Sequence, residues 1–330
     1  MVGSKVRSQI WTLCCAGVAG VVSSLMLAVE VLAQSSPVAD TTLGTESSVV
    51  SPINGTTVDV INGGAIRDQY LLHSFTEFDV GEGRGVYFFS PTPAIETILS
   101  RVTGNNRSEI LGTLGTFGNS APNFWLINPN GILFGPNASL DLGGSFVATT
   151  ANAVSADSSF IFAATDPPAD IRILNIDTSV FFLNALSDAQ IINQSQAAVL
   201  EGRSISLVGQ NINFEGGFLN APNGNIFLNS TDTITLRGGA EVSGGNIFAA
   251  TDRLSVQDGS QIFTQFTDVE RLGGSLQIQI SQGGGQLIFT PDSQLQQLPS
   301  ISGGNLSIVA RESINVSDTS PDETTPSQLH

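Results

Sequence analysis

Lysine is almost missing from this chain of 330 residues: Lys5 is the only one. Histidine occurs twice, at His73 and His330, and cysteine twice, at the adjacent Cys14 and Cys15. Charged residues make up 12% of the chain, against the ~25% usual in a soluble domain. That scarcity excludes coiled coils and helical bundles, whose solvated faces need abundant Glu, Lys and Arg. The charge present is mostly of one sign, −17 net with a pI near 4.2. Such a balance argues against a phosphate-rich partner, so no nucleic acid is expected. Disorder is excluded from the other side, because 41% hydrophobic residues are ample for a core. Zinc fails on ligand count, and calcium finds neither an EF-hand nor a nonapeptide repeat. No metal site and no cofactor are assigned, and calcium, which carboxylates and carbonyls suffice to hold, stays open.

Residues 1–33 read as an export signal. Lys5 and Arg7 form a positive n-region, residues 10–29 an apolar run, and Val31-Leu32-Ala33 a small-residue cleavage site before Gln34. An uncleaved anchor is the competing reading, since 20 apolar residues nearly span a bilayer. Both cysteines fall inside this segment. With Lys5, Arg7 and Glu30 also removed, the exported chain carries ten arginines, 28 acidic residues and no disulfide. Export without disulfides points to a bacterial envelope or extracellular protein.

Residues 34–57 are rich in Ser, Thr and Gly and are expected to enter the fold as a loosely held arm. From Val58 onward, short apolar runs alternate with Gly, Asn, Asp and Ser, as strands do. Two stretches have helical spacing: 93–103, through Ile95, Ile98, Leu99 and Val102, and 180–192. The C-terminal half repeats. The leading isoleucines of Ser204-Ile205-Ser206-Leu207, Asn225-Ile226-Phe227-Leu228 and Asn246-Ile247-Phe248-Ala249 are 21 residues apart. A second strand follows each, at Ile212, Ile234 and Leu254, and a third apolar spot at Leu219, Val242 and Ile262. The unit returns at Leu276 and Leu306 with longer inserts.

Three short strands per period make one coil of a parallel β-helix. Residues 58–317 would then hold about a dozen coils, each rising ~4.8 Å. An antiparallel sandwich, with hairpin signals every ~8–12 residues, fits this period poorly. Corner asparagines recur before the first strand, at Asn225, Asn246 and Asn305. They form either a stacked amide ladder or separate local turns, and the sequence leaves both open. Residues 318–330 read as a disordered polar tail. A last coil left bare at 306–316 would favour self-association, or continuation in longer relatives.

The segment Phe75-Thr76-Glu77-Phe78-Asp79-Val80-Gly81-Glu82-Gly83-Arg84-Gly85-Val86-Tyr87-Phe88 is followed by Ile98-Leu99-Ser100-Arg101-Val102-Thr103-Gly104. Next come Phe124-Trp125-Leu126-Ile127-Asn128-Pro129-Asn130-Gly131-Ile132-Leu133-Phe134-Gly135 and Leu142-Gly143-Gly144-Ser145-Phe146-Val147-Ala148. These ordered blocks resemble the N-terminal two-partner secretion (TpsA-like) domain of filamentous haemagglutinin-type exoproteins. Asn128-Pro129-Asn130-Gly131-Ile132 matches that family's best-known motif. A second family block, Asn-Pro-Asn-Leu, is missing, and Ser90-Pro91-Thr92-Pro93 stands in its region. The resemblance implies an all-β, right-handed parallel β-helix with an N-terminal cap and short extra-helical elements. Residues 58–165 would form the secretion domain and 166–317 its continuing coils.

It also implies export by the Sec machinery into the periplasm of a Gram-negative-type bacterium. A dedicated Omp85-type (TpsB-like) outer-membrane transporter would then release the chain to the surface or the medium. An adhesive role there would engage a cell-surface glycan or protein receptor. The motif also has a purely physical reading as a tight corner. Pro129 fixes φ, Gly131 supplies positive φ, and the asparagines bond the local backbone. Corner and transporter contact are compatible roles.

The rival class is a β-helical polysaccharide lyase or hydrolase. Such an enzyme needs clustered carboxylates with Lys or Arg. The nearest group is Asp166, Asp170 and Asp177 with Arg172, in what reads as a loop leaving one coil. His73 stands alone and reads as a satisfied cap residue, no Gly-x-Ser-x-Gly elbow occurs, and no catalytic residue is assigned.

Overall fold

The structure is a computed structural model. It describes residues 36–156, 160–166, 171–176, 179–185 and 187–264, then the strands 275–280, 286–289, 294–297, 305–310 and 328–329. The export signal expected over 1–33 lies outside the described residues.

The isoleucines that set the sequence period are neighbours across strands. Ile205 pairs with Ile226, and Ile226 with Ile247, in parallel and in register. The column continues upstream through Phe146, Phe124 and Ile98 to Leu71. Downstream it continues through Leu276 to Leu306. Those nine stacked strands make a first face about 38 Å long at ~4.8 Å per strand. On a second face Ile132, Ile191, Ile212, Ile234, Leu254 and Leu287 stack in the same way. A third column runs Ala197, Leu219, Val242, Ile262, Leu295 and Leu329. The chain is a parallel β-helix.

Three expectations are corrected. Among the described residues fewer than a dozen coils are stacked, in largest part because the step from Phe146 to Ile205 is 59 residues rather than 21. A four-stranded antiparallel sheet occupies that interval. Within the tail expected over 318–330, the described strand Gln328–Leu329 pairs in parallel with 294–295. The stretches with helical spacing are strands, Thr97–Val102, Ser179–Asn184 and Gln190–Asn193. Ile98 and Val102 belong to the helix core, whereas Leu99 packs in a second cluster with Tyr70 and Trp125. A strand buried on both faces loses its two-residue alternation and can imitate a helical spacing.

That second cluster lies beneath the antiparallel sheet of Ala153–Ala156, Phe160–Ala163, Ile171–Ile176 and Ser179–Asn184. Its Val154, Phe162, Phe181 and Leu183 pack on Leu72, Leu99, Trp125 and Val147, which point outward from the first face. Trp125 and Phe181 stack at 5.6 Å. Inside the early coils the core is aromatic, with Phe75, Phe78, Phe88 and Phe124 fully buried. Phe88 and Phe124 lie 4.6 Å apart. Each such ring contributes roughly 1.5–3 kcal/mol by burial.

The segment expected as a loose arm is tied into a cap. Val38–Ala39 pairs antiparallel with the end of Tyr70–Glu77, and Ser48–Pro52 antiparallel with Val58–Gly63. Val58–Gly63 begins a parallel sheet that continues through Gly85–Ser90, Thr113–Gly118 and Ser139–Asp141. Burial pushes the Asp40 carboxyl up, but hydrogen bonds from Thr103, Thr42 and Ser74 outweigh it and hold it below the usual range. Arg101 joins the pieces. It donates to Ser74 Oγ at 2.9 Å, Thr42 Oγ1 at 2.8 Å and the Ala163 carbonyl at 2.5 Å, and lies 4.4 Å over the Phe162 ring.

Candidate functional site

The five-residue motif is the corner between two faces. Asn123–Ile127 precedes it on the first face and Ile132–Phe134 follows on the second. The apolar residues on either side, Phe124, Leu126, Ile132 and Phe134, sit in the core and pin both ends. Gly131 N–H donates to the Asn128 carbonyl at 3.1 Å, closing the turn. At φ +115° Gly131 takes a backbone that other residues rarely adopt.

Asn128 is fully buried. Its Nδ2 donates to the Asn106 carbonyl and to Ser108 Oγ, both at 3.0 Å. Its Oδ1 accepts from Asn130 N–H at 2.9 Å and Asn130 Nδ2 at 3.1 Å. Every donor and acceptor of that amide is used. Asn130 is exposed, yet its Nδ2 also donates to the Gly104 carbonyl at 2.8 Å. The motif thus clips its corner to the corner of the coil before it. Beside Asn130 opens a cleft of about 240 Å³, lined by Arg107, Gly131, Ile132, Asp188, Gln190 and Ile192. Arg107 is paired there with Glu109 at 2.6 Å. Sequence reasoning missed the receiving corner, 104–108, although its Gly104-Asn105 dipeptide is a turn signal.

The corner asparagines of the repeat are joined along the rod. Asn246 Nδ2 donates to Asn225 Oδ1 at 2.9 Å. Upstream, Asn225 N–H donates to Ser204 Oγ at 3.3 Å, Ser204 N–H to Ser145 Oγ at 3.0 Å, and Ser145 N–H to Asn123 Oδ1 at 2.9 Å. A polar column of five coils results, with serine in place of asparagine at 145 and 204. Asn305 pairs in register with Ser275, and its side chain lies outside the described residues.

His73 is buried, with Nδ1 3.0 Å from Ser48 Oγ, but its Nε2 has no partner among the described residues. It is therefore only half satisfied. Arg172, the one base of the nearest acid–base group, bonds the Thr231 carbonyl and faces Asp252 at 3.5 Å. It fastens the antiparallel sheet to the helix; Asp170 and Asp177 lie outside the described residues. Among the described residues no three His, Cys, Asp or Glu side chains are grouped to hold a metal.

A capped parallel β-helix, clipped corner to corner by asparagine and filled with stacked apolar side chains, defines a β-solenoid. Residues 35–233 match the family described as TPS secretion domain, and the chain belongs to that family. It carries the TpsA-like N-terminal domain of a two-partner-secreted exoprotein, a domain that serves secretion through a partner. Among solved structures, the HMW1 secretion domain from Haemophilus influenzae matches with a TM-score of 0.53 and 17% identity. The match covers 84% of this chain and 75% of that one, and is a likeness of fold. No curated protein matches the chain.

Proposed function

We propose that residues 1–33 direct Sec export into the periplasm of a Gram-negative bacterium and are removed before Gln34. An Omp85-type, TpsB-like outer-membrane transporter then recognises the domain and passes the chain outward. At the surface or in the medium it serves adhesion or surface interaction. Membership of the TPS secretion domain family carries this reading. Within the domain, Asn128 holds the corner, while exposed Asn130 and the cleft beside it face the transporter.

The test is release from a Gram-negative host expressing the chain with and without a TpsB-like transporter. Release that depends on the transporter, and a mature N-terminus at Gln34, are expected. Equal release without it removes the reading. Asn130→Ala separates the corner from recognition: folding is retained and release falls. Normal release of that variant removes the transporter contact at Asn130.

A further inference from the structure

Tyr87 lies down on the outer face of its sheet. In register, Tyr87 pairs with Gly115 and Gly115 with Asp141. The Tyr87 hydroxyl reaches over the intervening strand and donates to Asp141 Oδ2 at 2.9 Å. The ring can cross because that strand carries no side chain there. A Cβ at Gly115 would sit 2.3 Å from Tyr87 Cε1, and one at Gly85 3.0 Å from Cε2. One ring face is therefore closed by glycine backbone, and the opposite face is left outward.

The apolar strip continues to Phe117, which is 43% exposed and 6.5 Å from Tyr87. Next to the ring opens a cleft of about 440 Å³, walled by Thr57, Glu82, Arg84, Thr113 and Asn137. The Arg84 side chain is only 10% exposed; it pairs with the buried Asp59 at 2.7 Å, and its Nε has no partner among the described residues. Asn137 Nδ2 donates to Glu82 Oε1 at 2.7 Å. The wall thus offers hydroxyls, an amide and a carboxylate beside a flat aromatic, with Arg84 held beneath them by Asp59.

We propose that the Tyr87 platform and this cleft form a binding site for a neutral oligosaccharide. A pyranose has an apolar C–H face that covers an aromatic ring, and a rim of hydroxyls that both donate and accept. Glu82 and Asp141 flank the platform and repel anionic glycans, as does the net charge of −17. The site gives the surface-interaction part of the proposed function a ligand class and rests on that reading only for its biological setting. Binding is measured on purified protein and export in cells, so the two fail separately.

The chain has two tyrosines, and the other, Tyr70, is buried. Purified exported protein carrying isotope-labelled tyrosine is titrated by NMR with chitotriose, cellotriose and lactose. At least one sugar is expected to shift the Tyr87 ring signal saturably, with a Kd of about 1 mM, while Tyr70 stays still. Tyr87→Ala should weaken binding at least about tenfold. Phe117→Ala, at an exposed position, should weaken it about threefold, and it decides the matter if the first variant unfolds. The proposal is overturned by no saturable shift with any of the three sugars, by saturation only with a proline-rich peptide, or by unchanged affinity in the variants.

Discussion

Asn128 Nδ2 donates to Ser108 Oγ at 3.0 Å, joining the corner of one coil to the strand opening in the coil before it. Removing that amide orphans the buried Ser108 Oγ and takes a partner from the Asn106 carbonyl and from Asn130 N–H, which lie nearer the surface. Buried groups left without partners cost about 1–3 kcal/mol each, partly relieved by relaxation. Asn128→Ala should therefore destabilise the domain by about 2–4 kcal/mol in urea unfolding. Asn130→Ala, at an exposed position, should cost under about 1 kcal/mol. Equal losses for the two would contradict the assignment of the corner to Asn128.

Asn225 and Asn246 provide a second check, because a ladder and two independent turns differ in coupling. Their amides bond directly at 2.9 Å. A double-mutant cycle of Asn225→Ala and Asn246→Ala should return a coupling of about 0.5–1.5 kcal/mol. A coupling near zero would mean that each amide serves only its own turn.

The rod was readable where its repeat is strict. The spacing of Ile205, Ile226 and Ile247 reappears as direct register, because a coil of constant length puts equivalent residues one strand apart. The antiparallel sheet over 153–184 was not readable. Phe160–Ala163 and Ser179–Asn184 are apolar runs like any others, and only tertiary packing assigns them to the outside of the first face. The same packing hid the strand nature of Thr97–Val102 by burying its second side. At the corner the sequence singled out Asn128 and Asn130 together. Burial separates them, and burial depends on residues 104–108 of the previous coil.

Trp125 reports whether that outer sheet is docked. The chain has two tryptophans, and the other, Trp11, lies in the segment expected to be cleaved. Trp125 is 9% exposed and stacks on Phe181. Phe181→Ala opens a cavity over the indole, and large aromatic truncations cost about 3–5 kcal/mol. Trp125 fluorescence in the exported protein should shift to the red while the far-ultraviolet β-signal persists. An unshifted spectrum would mean that the sheet does not shield the first face.

His73 should make the cap sensitive to acid. Burial pushes its pKa down to about 3 from the ordinary 6.5, so the folded protein holds it neutral across the neutral range. Above pH 6.5 the unfolded chain is also neutral there, and the contribution of His73 to stability is fully present. Below that value the unfolded state takes up a proton that the folded state refuses. Stability then falls by about 1.4 kcal/mol per pH unit until the folded pKa is reached. The loss between pH 6.5 and 5 should be about 2 kcal/mol. Carboxyls held low, such as Asp40, Glu46 and Glu215, lose their contribution only below the ordinary carboxylate range. Asp79, Glu241 and Asp252, pushed up by burial, slope the opposite way and titrate alike in any variant of His73. The readout is therefore a difference: urea midpoints at pH 7 and pH 5 for wild type and for His73→Gln. The wild type should lose markedly more stability than the variant between those two conditions. Parallel losses would show that the imidazole is protonated in the folded cap, with Nε2 reaching a partner such as water.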